Sequence, residues 1–118
     1  EKLPGNTLGQ TSYTYSPVTG RMADAEITIA LEDSHGVQQS ADDIRAVIAH
    51  ELGHALGIGG HSTTSTDLMY PSLQTPPQSA GIRDLNTMKT AYPAAFGVPM
   101  VMREQSRVPE QLVTKVIE

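Results

Sequence analysis

Three histidines and a glutamate lie close together in His50-Glu51-Leu52-Gly53-His54-Ala55-Leu56-Gly57-Ile58-Gly59-Gly60-His61. His50 and His54 are four residues apart, so on a helix both imidazoles leave the same face, one turn from each other. At that spacing two ring nitrogens can reach one Zn2+ at about 2.0–2.1 Å. Glu51 is angularly beside His50, where a carboxylate can take a proton from water without ligating the metal. Gly57 lets the chain turn sharply off the helix, and His61 returns as a third nitrogen. Three protein ligands with the fourth position open is a catalytic arrangement, because a structural zinc is closed by four. Asp67 is the alternative third ligand if His61 stays away. Zinc lowers the pKa of bound water from about 15.7 toward about 7 and polarises a carbonyl. Glu51 would accept the proton of that water and deliver it to a leaving amine. Two histidines at this spacing often mark nothing more than a helix face. The glutamate directly after the first, and the histidine just past a helix-ending glycine, set this segment apart.

Several elements must position these groups. Ser40 reads as an N-cap with Asp42 and Asp43 in the first turn, where negative charge suits the helix dipole. Ile44, Val47, Ile48, Leu52 and Ala55 recur at helical spacing, and the run reaches Leu56 before Gly57 as the C′ residue. Upstream, Thr11-Ser12-Tyr13-Thr14-Tyr15 alternates as a short strand, and Ala25 to Leu31 alternates again with Ile27, Ile29 and Leu31 on one side. Between them Ser16-Pro17-Val18-Thr19-Gly20 carries turn chemistry. The two strands form a hairpin or neighbours in one sheet. Ile58 to Ala80 has neither period, and a loop of that length inside a compact domain is usually functional. A second helix is expected from about Ala80 to Tyr92, with Ile82, Leu85, Met88 and Tyr92 on one face and Pro93 ending it. Pro109 to Ile117 reads as a short helix with Leu112, Val113, Val116 and Ile117 on its apolar side.

The segment His50-Glu51-x-x-His54-x-x-Gly57 resembles the zinc peptidases of the metzincin clan, most of all its matrixin branch, over about residues 8 to 92. Met69, in Asp67-Leu68-Met69-Tyr70-Pro71, resembles the Met-turn that forms a hydrophobic floor under the metal. It lies eight positions after His61. Without the resemblance it would be an ordinary core methionine. Pro71 stands where the astacin-like and serralysin-like branches would have a tyrosine, so those branches are disfavoured. The resemblance implies an α+β fold, with a small sheet packed on the active-site helix and a C-terminal helix closing it. It also implies one catalytic zinc on His50, His54 and His61, Glu51 as general base, a peptide or protein substrate, and a secreted or extracellular location. Pro71-Ser72-Leu73 resembles the outer wall of the S1′ pocket. Ala46 and Val47 look placed to line that pocket, with plain helix packing the equal alternative. The strand bearing Tyr13 and Tyr15 resembles the edge on which these enzymes lay an extended peptide, and an ordinary exposed edge is the alternative there.

The chain departs from the family pattern in three places. Three residues, not two, separate Gly57 from His61, an insertion that Gly59 and Gly60 could absorb. Glu26, Thr28 and Ala30 replace the histidine and aspartate ligands of the structural-ion strand. No structural zinc or calcium is expected on that strand, and a calcium elsewhere stays open. Only 49 residues precede His50, so residues 1–92 read as a catalytic domain incomplete at its N-terminal side, its missing elements cut away or the fold itself a reduced version, with 93–118 a tail or linker. The first residue is Glu rather than Met, which suits a processed product or an excised piece.

Composition narrows the function classes further. A chain of 118 residues holds one domain with a modest core. With no Trp and one Phe, that core must come from Ile, Leu, Val, Met and the tyrosines. A net charge of -5 and eight scattered Lys and Arg argue against a nucleic-acid partner. The absence of cysteine removes disulfides, thiolate metal sites and a cysteine nucleophile. No apolar run approaches the roughly 18–20 residues needed to span a bilayer. Oligomeric state is not legible, and His35, beside Gly36 in a polar loop, reads as solvent-exposed. The rivals to a peptidase are a zinc-stabilised binding module that does not turn over substrate, and a metal-dependent ribonuclease. Glu51, the Met-turn-like segment and the missing basic patch count against the ribonuclease.

Overall fold

The computed structural model describes residues 3–92 and 112–118. In chain order these form strand β1 (Gly9–Tyr15), strand β2 (Met22–Ile29), helix α1 (Ala41–Ala55), helix α2 (Ile82–Ala91) and strand β3 (Val113–Ile117). The strands make one antiparallel sheet in the order β2-β1-β3. It packs on α1, giving the α+β arrangement expected.

Strands β1 and β2 are a hairpin whose register runs from Gly9 opposite Ile29 to Tyr15 opposite Met22. Ser16 closes its turn. The Ser16 N–H donates to the Arg21 carbonyl at 2.9 Å, its carbonyl accepts from Gly20 N–H at 2.8 Å, and Gly20 takes a φ of 71°. Gly9, Thr11 and Tyr13 are buried on the helix-facing side of β1, while their neighbours are half-buried. Leu31 was expected on the inner face of β2 and is instead exposed. The strand ends at Ile29, and the chain turns into a loop whose ends are joined by a bridge between Glu32 and Gln38.

Helix α1 starts where the cap predicts: the Asp43 N–H donates to the Ser40 hydroxyl at 3.1 Å. Such a cap is worth about 1 kcal/mol. At the other end the Ile58 N–H donates to the Gly53 carbonyl and the Gly57 N–H to the His54 carbonyl, both at 3.0 Å, with Gly57 at φ 109°. This is the Schellman pair of bonds, and only glycine takes that φ without strain. The buried residues of α1 are Ala46, Val47, Glu51, Gly53 and His54. Ile48 and Leu52, expected on the buried face, are exposed. The sheet lies along the stripe that carries the polar groups, so the apolar stripe is turned away from it.

Helix α2 falls where expected but buries no residue. Polar contacts at its ends hold it instead. Asp84 accepts from the Gly81 and Leu68 N–H groups at 2.9 and 3.3 Å, Arg83 pairs with Asp67 at 3.0 Å, and the Tyr92 hydroxyl donates to the Leu56 carbonyl. The helix expected within Pro109 to Ile117 is not formed over its described part, where Val113–Ile117 is a strand on β1. Four of those five residues are β-branched, and β1 offers an unpaired edge. Among the described residues no helix is long and apolar enough to cross a membrane.

Candidate metal centre

The three histidines converge. His50 and His54 come from consecutive turns of α1, and His61 from the loop that leaves its glycine-capped end. The His54 Nε2 lies 3.1 Å from the His50 Nε2 and 3.2 Å from the His61 Nε2. Bonds of about 2.05 Å at a tetrahedral angle would set such nitrogens about 3.3 Å apart, close to what is seen. The other ring nitrogen of each helical histidine is tied to a main-chain carbonyl. The His50 Nδ1 donates to Leu68 at 2.9 Å and the His54 Nδ1 to Ile58 at 2.7 Å. A carbonyl only accepts, so Nδ1 carries the proton and both Nε2 lone pairs face the same point. Lone pairs crowded in this way call for a cation between them. His54 is fully buried, and burial holds its pKa below the ordinary imidazole value, which favours the neutral form a metal needs. Burial outweighs the raising effect of the Ile58 carbonyl.

Asp67, the alternative ligand, is not in the cluster. Its carboxylate accepts from the Ser62 hydroxyl at 2.6 Å and pairs with Arg83. Together these bonds anchor the loop that carries Met69. With Ile58, Gly59 and Gly60 between it and Gly57, His61 reaches the other two rings.

Glu51 is 2 % exposed and lies beneath β1. The Thr11 hydroxyl is 2.6 Å from the Glu51 carboxylate and 3.0 Å from its main-chain oxygen. Burial raises the Glu51 pKa above the ordinary carboxylate value, and the Thr11 hydroxyl pulls the other way. Two glycines make the close packing around this carboxylate and around Met69 possible. A Cβ on Gly9 would stand 2.7 Å from the Val47 Cγ1 and 2.8 Å from the Glu51 Cγ. A Cβ on Gly53 would stand 2.5 Å from the Met69 Sδ, and Met69 is buried under the histidine-bearing turn.

A cavity of about 470 Å³ opens beside this cluster. Ala46, Val47, His50, Glu51, Pro71, Ser72 and Leu73 line it. Tyr13 and Tyr15 do not line it; they stand on β1, with Tyr13 buried and their rings 5.7 Å apart. His35 is exposed in its loop and outside the cluster. Sequence reasoning missed Thr11 as a partner of Glu51, and Gly9, Leu68, Tyr70, Gln78 and Glu118 as groups around the cavity. A glycine opening a strand was the one signal available, for Gly9. The Leu68 carbonyl and Glu118 are brought in by tertiary packing alone.

A family model described as Matrixin, peptidase M10, matches residues 4–92. The chain belongs to the matrixin family. Among curated relatives, Metalloendoproteinase 1-MMP of Arabidopsis thaliana is 39% identical over 69 residues, which is 57% of this chain and 19% of that protein. Matrilysin of Rattus norvegicus is 38% identical over 71 residues, 60% of this chain and 25% of the relative. Stromelysin-1 of Equus caballus is 33% identical over 97 residues, 81% of this chain and 19% of the relative. The chain thus spans between 19% and 25% of the length of these three relatives. No solved structure matches. Matrixins are zinc-dependent, and His50, His54 and His61 form a site with the donor set and spacing that zinc takes.

Proposed function

We propose that this matrixin chain is a zinc endopeptidase in which Glu51 is the general base. The observation that carries the reading is the buried carboxylate of Glu51, which with His50 of the three converging imidazoles lines a cavity able to take a side chain. Zinc held by His50, His54 and His61 would supply a Lewis acid for the scissile carbonyl and acidify a water. The remaining work falls to the protein. Glu51, fixed by the Thr11 hydroxyl, takes the proton of the attacking water and then gives it to the departing amine nitrogen. Burial raises its pKa, which strengthens it as the acceptor of the water's proton. Met69 forms an apolar floor that keeps the histidine rings in place. Ala46, Val47, Pro71, Ser72 and Leu73 form an S1′ pocket for an apolar residue. The strand bearing Tyr13 and Tyr15 is the edge on which an extended peptide pairs. A secreted or extracellular location goes with this reading.

Cleavage of a set of extended peptides by the zinc-supplied chain, beside Glu51→Ala, tests it. Cleavage that depends on Glu51 and favours apolar residues after the cut supports the assignment. Zinc binding with no cleavage above the Glu51→Ala level would leave the rival, a zinc-stabilised binding module. That rival is favoured by Ile48 and Leu52, which lie exposed on α1, and by Leu56, exposed at its C-cap.

A further inference from the structure

The described part of the C-terminal segment lies on the same edge of the sheet that a peptide substrate would use. Strand β1 pairs with β2 on one side, and β3 takes the other. The register sets Val113 opposite Tyr15, Lys115 opposite Tyr13 and Ile117 opposite Thr11, the residue whose hydroxyl holds Glu51. Strand β3 therefore runs toward the metal centre. Beyond it, the main-chain oxygen of Glu118 lies 2.8 Å from the His61 Nε2 and 3.4 Å from the His50 Nε2, and Glu118 borders the cavity.

Main-chain contacts hold this strand. On the β2 side the Ala30 N–H donates to the Leu8 carbonyl. Alternation along an antiparallel ladder then turns the Thr11 and Tyr13 amides to the opposite edge, toward Ile117 and Lys115. The Thr14–Thr114 pair falls at a non-hydrogen-bonded position, where side chains approach most closely, and their hydroxyls are 2.9 Å apart. Val113, Thr114, Lys115 and Val116 are exposed, so little apolar burial secures the strand. Any extended peptide could make the same main-chain bonds.

We propose that Val113–Glu118 is a cis-acting occupant of the peptide cleft, a strap that lies along β1, presents the Glu118 main-chain oxygen to His50 and His61, and competes with peptides for the site. The inference rests on the proposal that β1 and the histidine cluster form a peptide cleft. Because the competitor is on the same chain, its effect does not depend on protein concentration. A peptide binds only the fraction of molecules whose strap is displaced, and its apparent affinity falls by that fraction.

The test uses the full chain with zinc supplied and a fluorescently labelled peptide of sequence Leu-Val-Thr-Lys-Val-Ile-Glu, read by anisotropy, which needs no turnover. Lys115→Pro removes an N–H of the ladder and should free the edge; Val113→Pro is the second variant. Zinc content equal to wild type shows that each variant has kept the centre. The expected result is peptide binding about tenfold or more tighter in both variants, the change for an open fraction rising from about a tenth to nearly all. Faster exchange of the Tyr13 amide in the peptide-free variants should accompany it. Equal affinities in wild type and both variants, or unchanged Tyr13 exchange, would overturn the strap. A difference in binding without Glu51-dependent cleavage would instead retain the strap and remove the peptidase assignment.

Discussion

Replacing Gly9 by alanine sets two effects against each other in a way the structure can decide. In an open strand the change should help by about 0.5–1 kcal/mol, because glycine loses the most conformational freedom on folding. Here the added methyl would meet the Val47 Cγ1 at 2.7 Å, and the Cγ and Oε1 of Glu51 at 2.8 Å. Val47 is β-branched, stiff and buried, and Glu51 is pinned by Thr11, so neither yields cheaply. Overpacking of this kind costs about 1–3 kcal/mol, and after the gain the net result should be a loss of up to about 2.5 kcal/mol. The strand must lift off the helix or Glu51 must move. Displacement of a reacting group by about 1 Å can cost about a hundredfold in rate. Urea denaturation with zinc present, together with kcat/KM on a cleaved peptide, measures both effects. A variant as stable as wild type with unchanged kcat/KM would refute the claim that Gly9 sets the approach of β1 to Glu51.

Three other substitutions probe the supports of the site. Thr11→Val keeps the shape but removes the hydroxyl that donates to the Glu51 carboxylate, and should lower stability by about 1.5–3 kcal/mol; a change below about 0.5 kcal/mol in urea denaturation would contradict it. Asp67→Ala breaks the Ser62 and Arg83 contacts and should destabilise the chain by about 1–3 kcal/mol, yet leave zinc stoichiometry intact. Loss of the metal would make Asp67 a ligand after all. Asp33 accepts from the Val37 and His35 N–H groups, both at 2.9 Å, and the Val37 bond foremost holds its pKa below the ordinary 3.8. A depressed folded-state pKa gives stabilisation that is present above the unfolded value and lost as pH falls through the folded one. An NMR titration of the Asp33 carboxyl should therefore have its midpoint below 3.8, with the Val37 amide moving in step; a midpoint at or above that value would contradict the assignment.

Much of the frame could be read from residues in order, because it rests on local chemistry. Ser40, the first-turn acids and Gly57 mark both ends of α1, and alternation marks most of β1 and β2. What could not be read depends on which surfaces meet. Val47, Glu51 and His54 lie on the stripe of α1 that the sheet covers, so the more apolar stripe through Ile48 and Leu52 faces away. A hydrophobic count cannot foresee that a carboxylate held by the Thr11 hydroxyl will take the inner position. Leu112, Val113, Val116 and Ile117 recur at helical spacing, yet four of the five residues Val113–Ile117 are β-branched and the free edge of β1 takes the segment as a strand. Thr11 and Gly9 look like any strand residues until Glu51 is placed beneath them. The loop carbonyls of Leu68 and Ile58 that set the histidine tautomers have no side-chain signature at all.

X-ray absorption at the zinc edge, on the purified full chain and on His61→Ala, tests the central claim most directly. The account predicts near-stoichiometric zinc in wild type, with three imidazole nitrogens at about 2.0–2.1 Å and one further light atom, and a site degraded or emptied in His61→Ala. Zinc held unchanged in His61→Ala, or a wild-type shell closed by four side chains, would contradict it.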